Sequence, residues 1–140
     1  MKNILLIGGS YGIGLVIAQK IQNENNVYVA SRTNENLSGL NVTHIQFDAS
    51  TDTLDTSKLP AVIDGLVYCP GSINLRPFKG LKPEAFKSDL QINFLSLVKV
   101  IQSVLPNLSA SEQASIVAFS SVAATMGMPF HTSVAASKGA

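Results

Sequence analysis

A glycine-rich turn near the start of the chain is the first candidate for chemistry. Glycines at positions 8, 12 and 14 follow the apolar run Ile4–Ile7 and precede an amphipathic pattern from Ile13 to Ile21. Glycine permits positive φ angles and close backbone approach, and a helix amino terminus attracts anions. The strand, turn and helix together predict a pyrophosphate site of a dinucleotide. A plain tight turn between strand and helix is the alternative.

A second polar cluster follows the second predicted strand, Val27–Ala30. Many NAD-binding folds place a carboxylate at this point to hold the ribose 2′-hydroxyl. Here the residues are Ser31, Arg32 and Thr33. A guanidinium with neighbouring hydroxyls suits a 2′-phosphate, and no acid is present to repel it. The cluster predicts a preference for NADP(H) over NAD(H), with a solvated surface arginine as the alternative.

The composition limits the classes of protein to consider. The 140 residues are 46% hydrophobic and 14% charged, with a net charge of +1, whereas disordered chains have low hydrophobicity and high net charge. The balanced charge gives no reason to expect nucleic acid or an anionic membrane as a partner. The single cysteine, Cys69, cannot form an internal disulfide, and we interpret it as a small buried side chain. We expect one domain over residues 1–140, in the cytoplasm, with no metal site.

The pattern of elements favours an α/β fold with a doubly wound parallel sheet and helices on both faces. The predicted strands are continuous apolar runs, typical of strands buried on both sides. After the fifth strand only the start of a helix remains, so we expect the front portion of a longer fold. The strands are predicted at 4–7, 27–30, 42–47, 65–69 and 115–119, and the helices at 13–21, 52–58, from Pro83, at 90–105 ending before Pro106, and at 133–140.

These features, in this order, resemble the short-chain dehydrogenase/reductase family over the whole chain. The glycine turn is similar to its Thr-Gly-x-x-x-Gly-x-Gly motif, with Ile7 at the threonine position. Of the segment that is usually Asn-Asn-Ala-Gly, only Gly71 matches. The resemblance implies a Rossmann-type sheet and a cofactor site composed of Gly8, Ser10, Tyr11, Gly12, Ile13, Gly14, Ser31, Arg32, Thr33, Asp48, Ala49, Cys69, Pro70, Gly71 and Lys138.

Three residues match the catalytic positions of that family. Asn93 lies in a segment similar to the helical motif of the catalytic asparagine, and Ser121 resembles the catalytic serine. Lys138 is the last residue of a segment that is similar to the family's Tyr-x-x-x-Lys motif and the residues before it. The resemblance implies that Ser121 bonds the carbonyl oxygen of a substrate, Lys138 holds the nicotinamide ribose, and Asn93 anchors a water relay.

The tyrosine of that motif is replaced. Four residues before Lys138 stands Val134, and the three tyrosines of the chain are all far upstream. The family's tyrosine exchanges a proton while hydride moves, with the lysine lowering its pKa. Valine has no proton to give. His131, three residues before Val134, carries an imidazole, a group suited to proton transfer, with a surface or packing role as its alternative.

Three functions fit these residues to different degrees. The first is an NADP(H)-dependent oxidoreductase that moves hydride between the nicotinamide and a small carbonyl or alcohol. The second is a non-catalytic NADP(H)-binding sensor or subunit partner, suggested by Val134. The third, a methyltransferase, would usually have an acid where Ser31 and Arg32 stand. The apolar face of Leu90–Leu105 is interpreted as core or as the interface of a homo-oligomer.

Overall fold

Five parallel strands form a single sheet in the order β3-β2-β1-β4-β5. The structure is a computed structural model that describes residues 1–140. The winding direction reverses between β1 and β4, so a crevice opens at the carboxyl ends of these neighbouring strands. The strands are β1 Lys2–Ile7, β2 Asn25–Ser31, β3 Val42–Gln46, β4 Gly65–Tyr68 and β5 Ser115–Ala118.

Four α-helices connect and cover the strands. A π-helical turn, Gln91–Leu95, joins the second helix to the third without a break. Short 3₁₀ turns lie at Glu35–Leu37, Phe78–Gly80 and Val122–Ala124. The α-helices are α1 Gly12–Ile21, α2 Pro83–Leu90, α3 Ser96–Ser109 and α4 Thr132–Gly139. None of them has the length and apolar character needed to cross a bilayer.

Side chains of β1 alternate between two hydrophobic cores because successive residues of a strand point to opposite faces. Leu5 and Ile7 belong to a cluster that includes Val100 and Val104 of α3. Leu6 belongs to a second cluster with Ala18 of α1 and with β2. Helices therefore cover both faces of the sheet. This arrangement confirms the predicted doubly wound parallel fold.

The helix predicted at 52–58 is wrong. The segment consists of turns and extended chain. Its acidic side chains bond to nearby backbone: Asp52 Oδ2 accepts from the amide of Asp48 at 2.7 Å, and Asp55 Oδ1 accepts from the amide of Ser57 at 2.9 Å. Such local bonds compete with helical hydrogen bonds. Here they stabilise successive turns instead of a helix.

The helix end predicted before Pro106 is also wrong, because α3 continues through this proline to Ser109. The last turn is anchored by the rest of the molecule. Leu108 is buried in the core, Asn107 Nδ2 donates to the carbonyl of Pro60 at 2.7 Å, and the carbonyl of Asn107 accepts from the amide of Ile63 at 3.0 Å. These contacts compensate for the amide hydrogen that proline lacks.

Candidate cofactor and catalytic site

A cleft of about 490 Å³ lies at the carboxyl ends of β1, β2 and β4. It contains most of the predicted cofactor residues. Gly12, Ile13 and Gly14 stand at the start of α1 and do not line it, and Lys138 lies beyond its Gly71 end. The lining consists of Gly8, Ser10, Tyr11, Ala30, Ser31, Arg32, Thr33, Phe47, Asp48, Ala49, Ser50, Cys69, Pro70, Gly71 and Ile92.

The glycine turn leaves the amino terminus of α1 open to a ligand. Gly8 and Gly12 have φ angles of 77° and 59°, and a Cβ on Gly12 would meet nothing within 4 Å. A Cβ on Gly14 would collide with the carbonyl oxygen of Gly8, so this glycine lets α1 approach β1. No side chain caps α1, and its first turn carries no acid. The turn therefore fits an anionic group such as a pyrophosphate.

Hydroxyl and amide groups fasten the glycine turn to the segment after β2. Thr33 Oγ1 donates to Ser10 Oγ at 3.3 Å, and Asn36 Nδ2 donates to the carbonyl of Ser10 at 3.1 Å. Ser31 is buried and donates to the carbonyl of Thr33 at 2.8 Å. Two parts of the candidate site thus hold each other in place.

Arg32 and Asp48 lie at one end of the cleft. The arginine side chain is exposed. The Asp48 carboxylate accepts from the amide of Ser50 at 2.8 Å and from its hydroxyl at 2.5 Å. These bonds lower the pKa of Asp48, and the positive charge of Arg32 lowers it further. Asp48 is therefore an ionised hydrogen-bond acceptor, and Arg32 presents a cation beside it.

Cys69 to Gly71 form the opposite wall. The amide of Cys69 donates to the carbonyl of Ile7 at 2.9 Å, extending the pairing of β4 with β1. Burial raises the pKa of the Cys69 thiol to about 11. A Cβ on Gly8 would lie 3.1 Å from Pro70 Cδ, so the proline ring packs directly against the glycine turn. Cys69 is thus a neutral thiol at ordinary pH.

Lys138 stands next to the Gly71 end of this wall. Its Nζ donates to the carbonyl of Phe119 at 2.7 Å and would lie 3.7 Å from a Cβ on Gly71. Burial lowers the pKa of this lysine. The carbonyl at the end of β5 therefore holds a partly desolvated ammonium at the edge of the cleft.

Asn93 lies in the π-helical turn, a distortion that is frequent at functional sites. Its Oδ1 accepts from the amide of Ser72 at 3.1 Å, and its Nδ2 donates to Ser137 Oγ at 3.0 Å and to the carbonyl of Ser72 at 3.2 Å. One residue earlier, the carbonyl of Ile92 accepts from the hydroxyl of Tyr68 at 2.6 Å. Burial raises the pKa of Tyr68 to about 12, so this phenol stays a donor. Asn93 thus links the segment after β4 to α4.

Ser121 and Val134 stand at the remaining predicted catalytic positions. Ser121 Oγ accepts from the amide of Ala123 at 3.2 Å, which leaves its hydroxyl hydrogen available to another acceptor. Val134 is buried, with 3% of its surface exposed. His131 Nδ1 lies 2.6 Å from the carbonyl of Pro129, and because a carbonyl only accepts, this nitrogen carries the proton. His131 therefore uses one ring nitrogen to hold its own loop.

Several residues of this region are missing from the sequence-based prediction. Phe47, Ser50 and Ile92 line the cleft, and the half-buried Ser72 donates to the buried Asp89 behind Gly71. The place of Asp89, four residues before Asn93, is a signal that could have identified it. Residues four apart lie on the same face of a helix.

Comparison with known families decides the classification. A family model described as short chain dehydrogenase matches residues 2–140. The chain belongs to the short chain dehydrogenase family. The predicted family is thereby confirmed. No curated protein matches the chain significantly.

Solved structures of short chain dehydrogenases share this fold. A short chain dehydrogenase/reductase from Saccharomyces cerevisiae superposes with a TM-score of 0.85 at 24% identity, covering 99% of this chain and 61% of its own. Serine dehydrogenase from Escherichia coli has a TM-score of 0.86 at 23% identity, with coverages of 98% and 70%. For 4-hydroxyisoleucine dehydrogenase complexed with NADH the TM-score is 0.84 at 23% identity, with coverages of 99% and 63%. The chain thus spans between 61% and 70% of the lengths of these proteins.

Proposed function

We propose that the protein is an NADP(H)-dependent oxidoreductase that transfers hydride between the nicotinamide and a small carbonyl or alcohol. The observation that carries the proposal is the single cleft between two groups of residues. At one end are Arg32 and Tyr11, the residue just before the uncapped start of α1, and at the other is Gly71 with Lys138 beside it. Membership of the short chain dehydrogenase family supports a nicotinamide cofactor.

The proposed preference for NADP(H) rests on charge at the end of β2. Arg32 is exposed on the cleft, with the hydroxyls of Ser31 and Thr33 as neighbours. A guanidinium binds phosphate through charge-assisted hydrogen bonds, and its planar fork fits two oxygens at once. The one carboxylate nearby, Asp48, has an oxygen committed to Ser50. The 2′-phosphate would therefore meet the cation of Arg32 at the end of β2, whereas the ionised Asp48 follows β3.

Each catalytic residue has a task that its contacts allow. NADPH supplies the hydride when bound. Ser121 would donate a hydrogen bond to the substrate carbonyl oxygen. Lys138 would donate a hydrogen bond to the nicotinamide ribose from its place beside Gly71. The amide of Asn93 is engaged with Ser72 and Ser137, so we assign its side chain to fixing this end of the cleft. We therefore do not assign the expected water relay to the side-chain amide of Asn93.

A non-catalytic NADP(H)-binding module is the second candidate. Val134 favours it, because this buried valine stands where the family has its proton donor. Turnover separates the two candidates: an enzyme oxidises NADPH when a carbonyl substrate is added, and a binding module does not. A panel of aldehydes and ketones, followed by NADPH absorbance, gives this answer.

Calorimetric titration tests the cofactor assignment directly. The chain has no tryptophan to report binding by fluorescence. We expect saturable binding of NADPH and weaker binding of NADH. Absence of binding by both dinucleotides would contradict the proposal. Binding of S-adenosylmethionine in their place would instead favour the methyltransferase hypothesis.

We also propose self-association and a cytoplasmic location. Leu95 and Leu105, on the helical segment predicted as an interface, are 44% and 52% exposed. Burying such side chains against a second copy removes apolar surface from water. Sedimentation velocity of the chain and of Leu105→Asn tests this self-association, since the variant should shift the distribution toward monomer.

The proposed cytoplasmic location rests on the lone cysteine, Cys69, which suits a reducing compartment.

A further inference from the structure

A buried carboxylate lies behind the Gly71 end of the cleft. Asp89, in the last turn of α2, has no exposed surface. Its Oδ1 accepts from Ser72 Oγ at 2.5 Å and from Asn74 Nδ2 at 2.9 Å. Its Oδ2 has no hydrogen-bond partner. Burying a carboxyl group with one oxygen unpartnered costs free energy. This cost raises the question of what Asp89 holds in place.

The second unpartnered buried atom of the chain is Ser133 Oγ, on α4. Helices α2 and α4 pack together, and one turn further along them Asn93 Nδ2 bonds Ser137 Oγ at 3.0 Å. Asp89 precedes Asn93 by four residues, and Ser133 precedes Ser137 by four. The two unpartnered groups therefore take equivalent places on the facing helices. A hydrogen bond between them, direct or through one buried water, would satisfy both groups.

The bonds of Asp89 lead directly to the candidate catalytic groups. Ser72, which donates to Asp89, is also bonded to Asn93 through its amide and its carbonyl. Gly71 precedes Ser72, and a Cβ on it would lie 3.3 Å from Asn93 Oδ1 and 3.7 Å from Lys138 Nζ. Asp89 itself does not line the cleft. It can act on the cleft only through the turn that it holds.

We propose that Asp89 is a positioning residue for the nicotinamide end of the cleft. Through Ser72 it fixes the Gly71 turn against Asn93 and Lys138, and Ser133 supplies the donor for its second oxygen. The inference rests on the proposed function, because it needs NADP(H) in this cleft. It predicts that loss of Asp89 weakens binding of the nicotinamide half of the cofactor and leaves binding of the adenine half unchanged.

Two ligands allow binding of the two halves of the cofactor to be measured separately. NADPH reaches both ends of the cleft, whereas adenosine 2′,5′-bisphosphate carries the adenine and the 2′-phosphate without a nicotinamide. Asp89→Leu keeps the branching of the side chain and removes both oxygens. We expect it to weaken NADPH binding about tenfold, the scale of one lost charge-assisted hydrogen bond, and to leave the bisphosphate affinity unchanged. Asp89→Asn keeps an acceptor for Ser72 and gains a donor for Ser133, so it should retain the NADPH affinity.

Further variants guard against a general loss of structure. Ser72→Ala breaks the same link outside the buried helix contact and should show the same selective loss. Val104→Ala removes core volume on α3, away from the cleft, and should lower the free energy of unfolding without changing the ratio of the two affinities. Equal weakening of both ligands by Asp89→Leu and Ser72→Ala, or no weakening, would overturn the inference. A wild-type chain that binds neither ligand would instead contradict the proposed function.

Discussion

The hydroxyl of Thr33 donates to the hydroxyl oxygen of Ser10 at 3.3 Å and thereby joins the segment after β2 to the glycine turn after β1. Asn36 adds a bond to the carbonyl of Ser10. Between the buried Ser31 and this link stands Arg32, whose side chain is exposed. The backbone at Arg32 is thus held on both sides while its guanidinium reaches the cleft. This makes Arg32 the residue on which the proposed cofactor preference depends.

We expect Arg32→Ala to weaken NADPH binding and to leave NADH binding unchanged. In the proposed site the arginine would bind the 2′-phosphate, which NADPH carries and NADH lacks. Loss of hydrogen bonds to a charged group corresponds to a factor of about 10 to 100 in affinity. Calorimetric titration of both dinucleotides measures the two effects on one preparation.

Lys20→Ala is the matched control for that charge. Lys20 lies in the last turn of α1, at the end far from the cleft. Its loss lowers the net charge by the same amount as the loss of Arg32. Its NADPH affinity should equal that of the wild type. An equal loss in both variants would show that only the overall charge matters, and the preference assigned to Arg32 would then be wrong.

The glycine turn predicts opposite effects for two neighbouring substitutions. A Cβ on Gly14 would collide with the Gly8 carbonyl, so Gly14→Ala should strongly destabilise the fold. A Cβ on Gly12 meets no atom, but its φ of 59° costs an alanine about 1 kcal/mol. Gly12→Ala should therefore stay folded and lose dinucleotide affinity, because the methyl group occupies the open space. Thermal unfolding and calorimetry separate the two outcomes, and full affinity in Gly12→Ala would contradict the placement of the pyrophosphate.

Much of this fold could be predicted because its strands are buried on both faces. Runs such as Ile4–Ile7 and Gly65–Cys69 are apolar without alternation, and no end of an observed strand lies more than two residues from its predicted place. The predictions failed where tertiary or side-chain contacts overrode local preference. Pro106 stays within α3 because Leu108 is buried, and the segment 52–58 is held in turns by its own carboxylates.

The cofactor end of the site was more predictable than the catalytic end. Glycines at fixed spacing and a charged residue at a strand end have local sequence signals, and the structure places Gly8 and Arg32 on one cleft. The contacts of Asn93 depend on residues that are 21 and 44 positions away in the chain. No local pattern encodes such pairings. The π-helical turn that presents Asn93 is likewise fixed by a distant phenol, that of Tyr68.

Cys69 should react slowly with iodoacetamide despite its place on the cleft. The thiolate is the reactive form, and burial raises the pKa of this thiol from 9.0 to about 11. At neutral pH the folded chain then holds about a hundredfold less thiolate than the unfolded chain. Alkylation followed by mass spectrometry, with and without denaturant, measures this ratio. The rate of the folded chain should rise steadily as the pH approaches 11, and equal rates in both states at neutral pH would show that the thiol is not shielded.

Val134→Tyr is expected to create or raise carbonyl reduction. Ser137 donates to the carbonyl of Val134 at 3.1 Å, which fixes the register of α4, and Lys138 stands one turn after Val134. A phenol at this position would therefore be near the ammonium that lowers its pKa in the family's mechanism. General acid catalysis contributes a factor of about 100 or more to such a rate.

The matched control for this substitution is Val134→Phe, which adds the same ring without the hydroxyl. Val134 is buried, so either ring costs about 1 to 3 kcal/mol of stability through overpacking. NADPH oxidation with the carbonyl panel should rise in the tyrosine variant alone. A similar rise in both variants would trace the gain to shape, and no rise in Val134→Tyr, with the fold and NADPH binding intact, would favour the non-catalytic module. The comparison of the two variants thus isolates the contribution of the hydroxyl to carbonyl reduction.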